Sequence, residues 1–383
     1  MRGHAERLNG LGTTIFAEMS ALAVATGSVN LGQGFPDTDG PDSLLEDAIA
    51  AIRAGANQYP PGRGIPALRQ AIVDHQKRFY DLSYDPDTQV LVTTGATEAI
   101  AAALLAFVEP GDEVIALEPY YDSYAAGIAF AGGRRVPVTL RAPSYRLDLD
   151  ELRAAVTPRT KVLLINTPHN PTGTVLTDDE LRGIRDLAVE HDLVVITDEV
   201  YEHLVYDDHR HIPLATYDGM TDRTVSIGSA GKTFSVTGWK IGWVTGSPEV
   251  VTAVTTAKQF LTYVSGSPFQ PAVANALALG NDYFDTLRST LQSRRDLLAN
   301  GLSDLGFEVH RPAGTYFITT DIRPLGHTDS IDFCRLLPER TGVVAIPTQV
   351  FYDNKEAGRP LVRWAFCKKE ELLQEALTRL QKL

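Results

Sequence analysis

Between residues 88 and 245, short runs of β-branched and apolar residues alternate with stretches whose apolar positions recur at helical spacing. The runs are QVLVTT, DEVIALE, RRVPVTL, KVLLINT, LVVITDE and TVSIGS. Several are nearly continuously apolar, the pattern of strands covered on both faces. Helical patterns between them span 97–107, 148–155 and 177–190. This alternation predicts βαβ units, hence an α/β fold with a mostly parallel central sheet flanked by helices. Upstream, GQGFPDTDGP and YPPGRGIP are rich in Gly and Pro and predict loops. Downstream, 282–305 predicts one long helix, followed by strands near 316–320, 343–346 and 361–366 and a closing helix at 370–383. The pattern divides the chain into an N-terminal arm and loop at 1–44, a large domain at 45–284 and a small α+β domain at 285–383. Part of the arm is expected to join the small domain.

Bulk composition narrows the function classes. The chain has 383 residues, 44% hydrophobic and 22% charged, an ordinary balance for a globular protein of two or three domains. A net charge of −13 disfavours nucleic acid or an anionic membrane as the main partner, though not a small anionic ligand. Two cysteines, Cys334 and Cys367, form no disulfide framework. The longest apolar run, AIAAALLAFV, is too short to span a bilayer, and charges at Arg2, Glu6, Arg7 and Glu18 interrupt any signal-peptide core. A soluble cytoplasmic protein is the expectation.

In open α/β sheets, ligands gather at the carboxyl ends of the strands, and four loops there carry candidate chemistry. VTTGATEAI reads as strand, glycine turn and helix start. The N–H groups of Gly95, Ala96 and Thr97 could hold a phosphate, or Thr94 or Thr97 could simply cap the helix. In INTPHNPTGT, Asn170 is either a turn residue or an amide aimed at a ligand, while His169 reads as a solvated loop histidine. LVVITDEVY puts Asp198 at a strand end, as a helix cap or as a carboxylate facing a heterocyclic nitrogen, with Tyr201 following on the same side of a helical turn. Finally, SAGKTFSVTGWKIG follows TVSIGS and sets Ser229 and Lys232 on a loop among small residues, with Lys240 beyond.

Together with VRWAFC near the end, these stretches resemble the class I and II aminotransferases, fold-type I enzymes that use pyridoxal 5′-phosphate. LGQGFPD, NQYPPGRG and YEHLVYD are most similar to the branch holding kynurenine, glutamine–phenylpyruvate and methionine transaminases, and to actinobacterial N-succinyldiaminopimelate transaminases. The resemblance implies that Lys232 forms the Schiff base and moves a proton, that Asp198 pairs with the pyridinium nitrogen, and that Asn170 and Tyr201 bond the phenolate oxygen. It puts Tyr121 on the cofactor ring, with Tyr120 and Tyr124 as packing residues. Gly95, Ala96, Thr97, Ser229 and Lys240 would hold the phosphate, Lys240 standing where many relatives have arginine. Tyr59 matches a tyrosine that reaches the neighbouring subunit's cofactor, so a homodimer with shared active sites is implied, and no metal.

Arg363 would grip the substrate carboxylate. Gly34, Phe35 and Phe16 would line its pocket together with Asn170. Ser265, Gly266 and Ser267 replace bulkier residues of kynurenine-processing relatives. This tilts the expected donor toward N-succinyl-LL-2,6-diaminopimelate with 2-oxoglutarate as acceptor. The alternatives are a kynurenine, aromatic, methionine or glutamine aminotransferase, or a cysteine-S-conjugate β-lyase. A sensory domain behind a DNA-binding module is disfavoured by the acidic charge and by a pattern that begins within the first few dozen residues. No G-x-G-x-x-G follows a strand to support a dehydrogenase.

Overall fold

The computed structural model describes residues 5–9, 11, 12 and 14–383. Its centre is a seven-stranded sheet built from β1 (Val90–Thr94), β2 (Glu113–Glu118), β3 (Arg134–Thr139), β4 (Thr160–Asn166), β5 (Val194–Asp198), β6 (Thr224–Ser229) and β7 (Ile241–Thr245). The spatial order is β1-β7-β6-β5-β4-β2-β3, parallel throughout except for β7, which runs antiparallel to both β1 and β6. All six apolar runs read from the sequence are strands of this sheet. The seventh, β7, begins immediately after Lys240, inside the stretch that the pattern leaves as a loop.

Period-2 alternation explains why the runs are apolar on both faces. Val162 and Leu164 of β4 pack into one core with Ile196, Ile227 and helix residues Ile100 and Ala103. Leu163 and Ile165 point the other way, against Leu181, Ile184 and Leu187 of the helix Asp178–Glu190. That helix starts at a capping box in which Thr177 accepts from Glu180 N–H and the Glu180 carboxylate accepts from Thr177 N–H. Asp148 caps the helix Leu149–Ala155 by accepting from the Asp150 and Glu151 N–H groups.

Beyond the sheet, the helix Asn281–Asp304 runs 24 residues and leads to a four-stranded antiparallel sheet ordered Ile346–Pro347, Leu361–Ala365, Phe317–Asp321, Glu308–His310. The strand expected at 343–346 is divided at Ala345. Val343–Val344 instead pairs in parallel with Val29–Asn30 of the N-terminal arm. Trp364, Phe307, Phe333 and Val344 share a core with Met19 and Leu31 from that arm. Among the described residues no helix is long and apolar enough to cross a membrane.

Candidate active site

The parallel strands β1, β4, β5 and β6 end on one edge of the sheet, which brings Thr94, Asn166, Asp198 and Ser229 side by side. Antiparallel β7 starts on that same edge, opposite Thr94 and Ser229. A cavity of about 920 Å³ opens there, large enough for a cofactor together with a substrate. Its wall includes Lys232, Asp198, Tyr201, Asn170, Arg363 and Lys240, all expected at the site.

Asp198 ends β5 and is buried, so its carboxyl is raised above the usual range by loss of hydration. Three groups counter that shift, the Tyr124 hydroxyl, the Val200 N–H and the Lys232 charge. The Tyr124 hydroxyl donates to Oδ2 at 2.5 Å, and the Lys232 charge lies nearby. Val200 N–H donates to Oδ1 at 3.4 Å within a chain turn rather than a helix, and Tyr201 is carried on that turn. The turn is held from behind by buried polar contacts: His203 Nε2 to His75 Nε2 at 2.7 Å, and His211 Nε2 to Glu199 Oε2 at 3.2 Å. Asn166 fixes the next strand end, donating from Nδ2 to the Asp198 carbonyl at 2.8 Å and accepting from Asn170 N–H at 2.7 Å.

Lys232 sits in a short helical turn, Ala230–Thr233, where the sequence suggests a loop. Its Nζ donates to the Tyr316 hydroxyl at 2.9 Å and to the Gly34 carbonyl at 3.4 Å, and it faces the rings of Tyr201 and Tyr316 at 5.7 and 5.5 Å. Burial lowers this amine from 10.5 to about 8, against the opposing pull of Cys367 and Asp198. Near neutral pH, a useful fraction of the side chain is therefore an uncharged nucleophile.

At the start of the helix Gly95–Phe107, no side chain among the described residues caps the first N–H groups. The Thr94 hydroxyl instead pairs with Ser265 Oγ at 2.8 Å and Thr262 Oγ1 at 2.9 Å. Gly95 has φ +72°, and a Cβ there would stand 3.3 Å from Lys240 Nζ. On the facing strand a Cβ at Gly242 would come within 2.9 Å of Ala96 N. Both glycines keep this turn open to an anion lying over a helix N-terminus, with a lysine ammonium beside it. Lys240, itself at φ +56°, is exposed, and Ser229 is buried without making a capping bond.

Arg363, in the small sheet, is fully buried. Nη2 donates to the Gly32 carbonyl at 2.8 Å and Nη1 to Asn170 Oδ1 at 3.0 Å, while Nε has no partner among the described residues. The guanidinium lies 4.0 Å from the Phe317 ring centre and 5.1 Å from that of Phe16. Burial brings it down from the ordinary guanidinium range to about 10, still high enough to keep it charged. A buried, charged, incompletely bonded guanidinium at the floor of a cavity suits a carboxylate ligand.

Gly34, Phe16 and Tyr121 line the cavity as expected. Phe35 and Tyr59 do not. The Phe35 ring lies under Lys368 Nζ at 4.4 Å, and Tyr59 is 81% exposed with its ring edge on Tyr263. His169, read as solvated, is buried and bonded to Thr172 Oγ1 at 2.8 Å, and burial lowers it to about 3. Tyr120 donates to Asp353 at 2.9 Å.

The model of the family described as "Aminotransferase class I and II" matches residues 26–380. The chain belongs to the class I and II aminotransferases. It is 54% identical over 98% of both chains to the probable N-succinyldiaminopimelate aminotransferase DapC of Mycobacterium tuberculosis. It is 38% identical to the methionine aminotransferase of Escherichia coli, over 98% of this chain and 97% of that one. The solved structure of the M. tuberculosis N-succinyldiaminopimelate aminotransferase superposes with a TM-score of 0.97 at 55% identity, covering 99% of each chain.

As an aminotransferase of this family the enzyme depends on pyridoxal 5′-phosphate, and the residues present fit that group. The uncapped helix start with Lys240 suits its phosphate, buried Asp198 its ring nitrogen, and the depressed Lys232 amine its aldehyde. Three further residues bear on the aminotransferase site: Asn166, inside INTPHNPTGT but not singled out there, Tyr124, and Tyr316, which lies in no motif. Tyr124 was assigned to packing, yet it holds the carboxylate of Asp198. Hydrogen bonds to charged groups are worth about 1.5–3 kcal/mol, so Tyr124→Phe is expected to weaken cofactor retention about tenfold or more. Dialysis against apo-protein, followed by cofactor fluorescence, measures this.

The pKa of Lys232 sets a second expectation. The folded amine loses its proton near pH 8 and the unfolded one near 10.5. The cofactor-free protein therefore binds fewer protons than its unfolded chain between those values, and its stability rises with pH across that window. Covalent uptake of pyridoxal phosphate by the apo-enzyme should accelerate as pH rises towards 8 and level off above it. Stopped-flow absorbance reads the rate.

Proposed function

We propose that this aminotransferase takes the amino group from N-succinyl-LL-2,6-diaminopimelate and passes it to a 2-oxoacid, with 2-oxoglutarate as the preferred acceptor. The observation that carries the reading is 54% identity to DapC over nearly the whole of both chains, against 38% for the methionine enzyme.

The contacts support these residue roles. Bound at the sheet edge, pyridoxal phosphate supplies an aldehyde carbon for amine exchange and a ring that accepts the electron pair released at the donor Cα. Lys232 Nζ, positioned by Tyr316 and the Gly34 carbonyl, would hold that carbon and, once freed, would accept the proton from the donor Cα. Asp198, whose carboxylate the Tyr124 hydroxyl and the nearby Lys232 charge favour against burial, would pair with the ring nitrogen. Tyr201 and Asn170 bond the ring oxygen. Asn170 spends Oδ1 on Arg363, which leaves Nδ2 to donate. Tyr121 would cover the ring face. Gly95, Ala96, Thr97, Ser229 and Lys240 take the phosphate. Arg363 fixes the donor carboxylate and so aims the Cα–H bond at Lys232. Phe16 and Gly34 complete the wall.

Exposed Tyr59, Tyr263 and Phe260 support a face that pairs with a second copy, through which Tyr59 would reach the partner's cofactor phosphate. This reading includes a cytoplasmic homodimer with shared sites, and arm, large and small domains at 1–44, 45–284 and 285–383. Light scattering that shows a monomer would remove the shared-site assignment.

The donor is tested by a panel of N-succinyl-LL-2,6-diaminopimelate, kynurenine, methionine and phenylalanine with 2-oxoglutarate. The highest kcat/KM is expected for the succinylated donor. A higher value for any other member contradicts the substrate assignment.

A further inference from the structure

The cavity that holds Lys232 carries a second arginine at its mouth. Arg335 lies on the helix Ser330–Thr341 with its side chain 54% exposed, whereas Arg363 at the floor is buried. Arg335 and Glu18 both line the cavity, and Arg335 Nε donates to Glu18 Oε1 at 2.8 Å. Glu18 occupies only the Nε edge. Among the described residues, Nη1 and Nη2 have no hydrogen-bond partner, so one end of the guanidinium fork is left open. An exposed ion pair of this kind adds little to stability. It does hold a flexible side chain in one orientation, which lowers the cost of binding a ligand there.

The two arginines are linked through one element. The helix Ile15–Thr26 places Phe16 on Arg363 and, two residues later, Glu18 on Arg335. A ligand whose α-carboxylate reaches Arg363 and whose far end reaches the mouth would meet a cation at each end. The cavity wall offers one more unsatisfied polar group: Ser123 Oγ is buried without a hydrogen-bond partner among the described residues.

We propose that Arg335, oriented by Glu18, is an anion subsite for the terminal carboxylate of an acyl-amide side chain on the amino donor. The proposal rests on the reading of the donor as a succinylated diamino acid. A succinyl group ends in a carboxylate, which can take the free Nη1 and Nη2 of Arg335 as a bidentate pair. Donors with neutral side chains, such as methionine or phenylalanine, leave this subsite unused.

The test compares holoenzyme and its Arg335→Gln and Arg335→Lys variants on two donors, N-succinyl- and N-acetyl-LL-2,6-diaminopimelate, with 2-oxoglutarate. The acetyl donor keeps the amide and lacks the terminal carboxylate. In R335Q the ratio of the two kcat/KM values, succinyl over acetyl, is expected to fall roughly ten- to hundredfold. The loss should lie mainly in the KM of the succinyl donor, with partial recovery in R335K. An unchanged ratio in R335Q, with the parent enzyme active on the succinyl donor, overturns the subsite. A parent enzyme that transaminates methionine but neither diaminopimelate donor overturns the substrate reading and the subsite with it.

Discussion

Replacing Lys232 by Ala should reduce transamination on the order of a millionfold, the scale seen when a covalent nucleophile is removed. No other amine can substitute. Lys240 is exposed beside the helix start at Gly95, in the place assigned to the phosphate, and the buried ammonium of Lys258 donates to the backbone carbonyls of Gly62 and Tyr263. The fold should survive, because Lys232 makes no ion pair among the described residues and its burial disfavours its charged form. Tyr316 would still donate to Gly34 at 2.5 Å. Steady-state rates with a saturating donor check the first point and far-UV circular dichroism the second. Turnover near that of the parent enzyme would contradict the assignment.

The second large effect is expected at Asp198. Replacing it by Ala should lower kcat roughly a hundred- to a thousandfold, the range for losing a preorganised charge partner. The ring nitrogen would then lose the anion that keeps it protonated. Structural damage should be small, since among the described residues the side chain makes only one long turn contact to Val200 N–H besides the Tyr124 bond. Leaving the Tyr124 hydroxyl unpaired costs about 1–3 kcal/mol. The double variant with Tyr124→Phe should recover part of that stability and none of the rate. An unchanged kcat in the Ala variant would remove Asp198 from the chemistry.

Much of this site was legible because its residues fall at strand ends. The runs KVLLINT and LVVITDE announce buried strands, and Asp198 stands where such a strand stops. The helix at 177–190 was legible from its apolar spacing, and Thr177 proves to be its cap. What stayed hidden depends on contacts across the chain. Tyr124 meets Asp198 over 74 positions and Tyr316 meets Lys232 over 84, so neither has a local pattern. The strand β7 was obscured because IGWVT follows a glycine-rich loop, and its antiparallel direction is set by pairing with Val90–Thr94. Division of 343–346 between two sheets likewise depends on Val29–Asn30, more than 300 positions upstream. Phe35 was placed at the pocket by resemblance alone; its ring turns away to cover Lys368.

The central claim is that Lys232 carries the cofactor covalently. It is tested most directly by borohydride reduction of the holoenzyme, proteolysis and mass mapping of every lysine peptide. The account predicts one modified residue, Lys232, in the peptide containing SAGKTF. Attachment at Lys240, Lys258 or any other lysine, or no attachment at all, would contradict it.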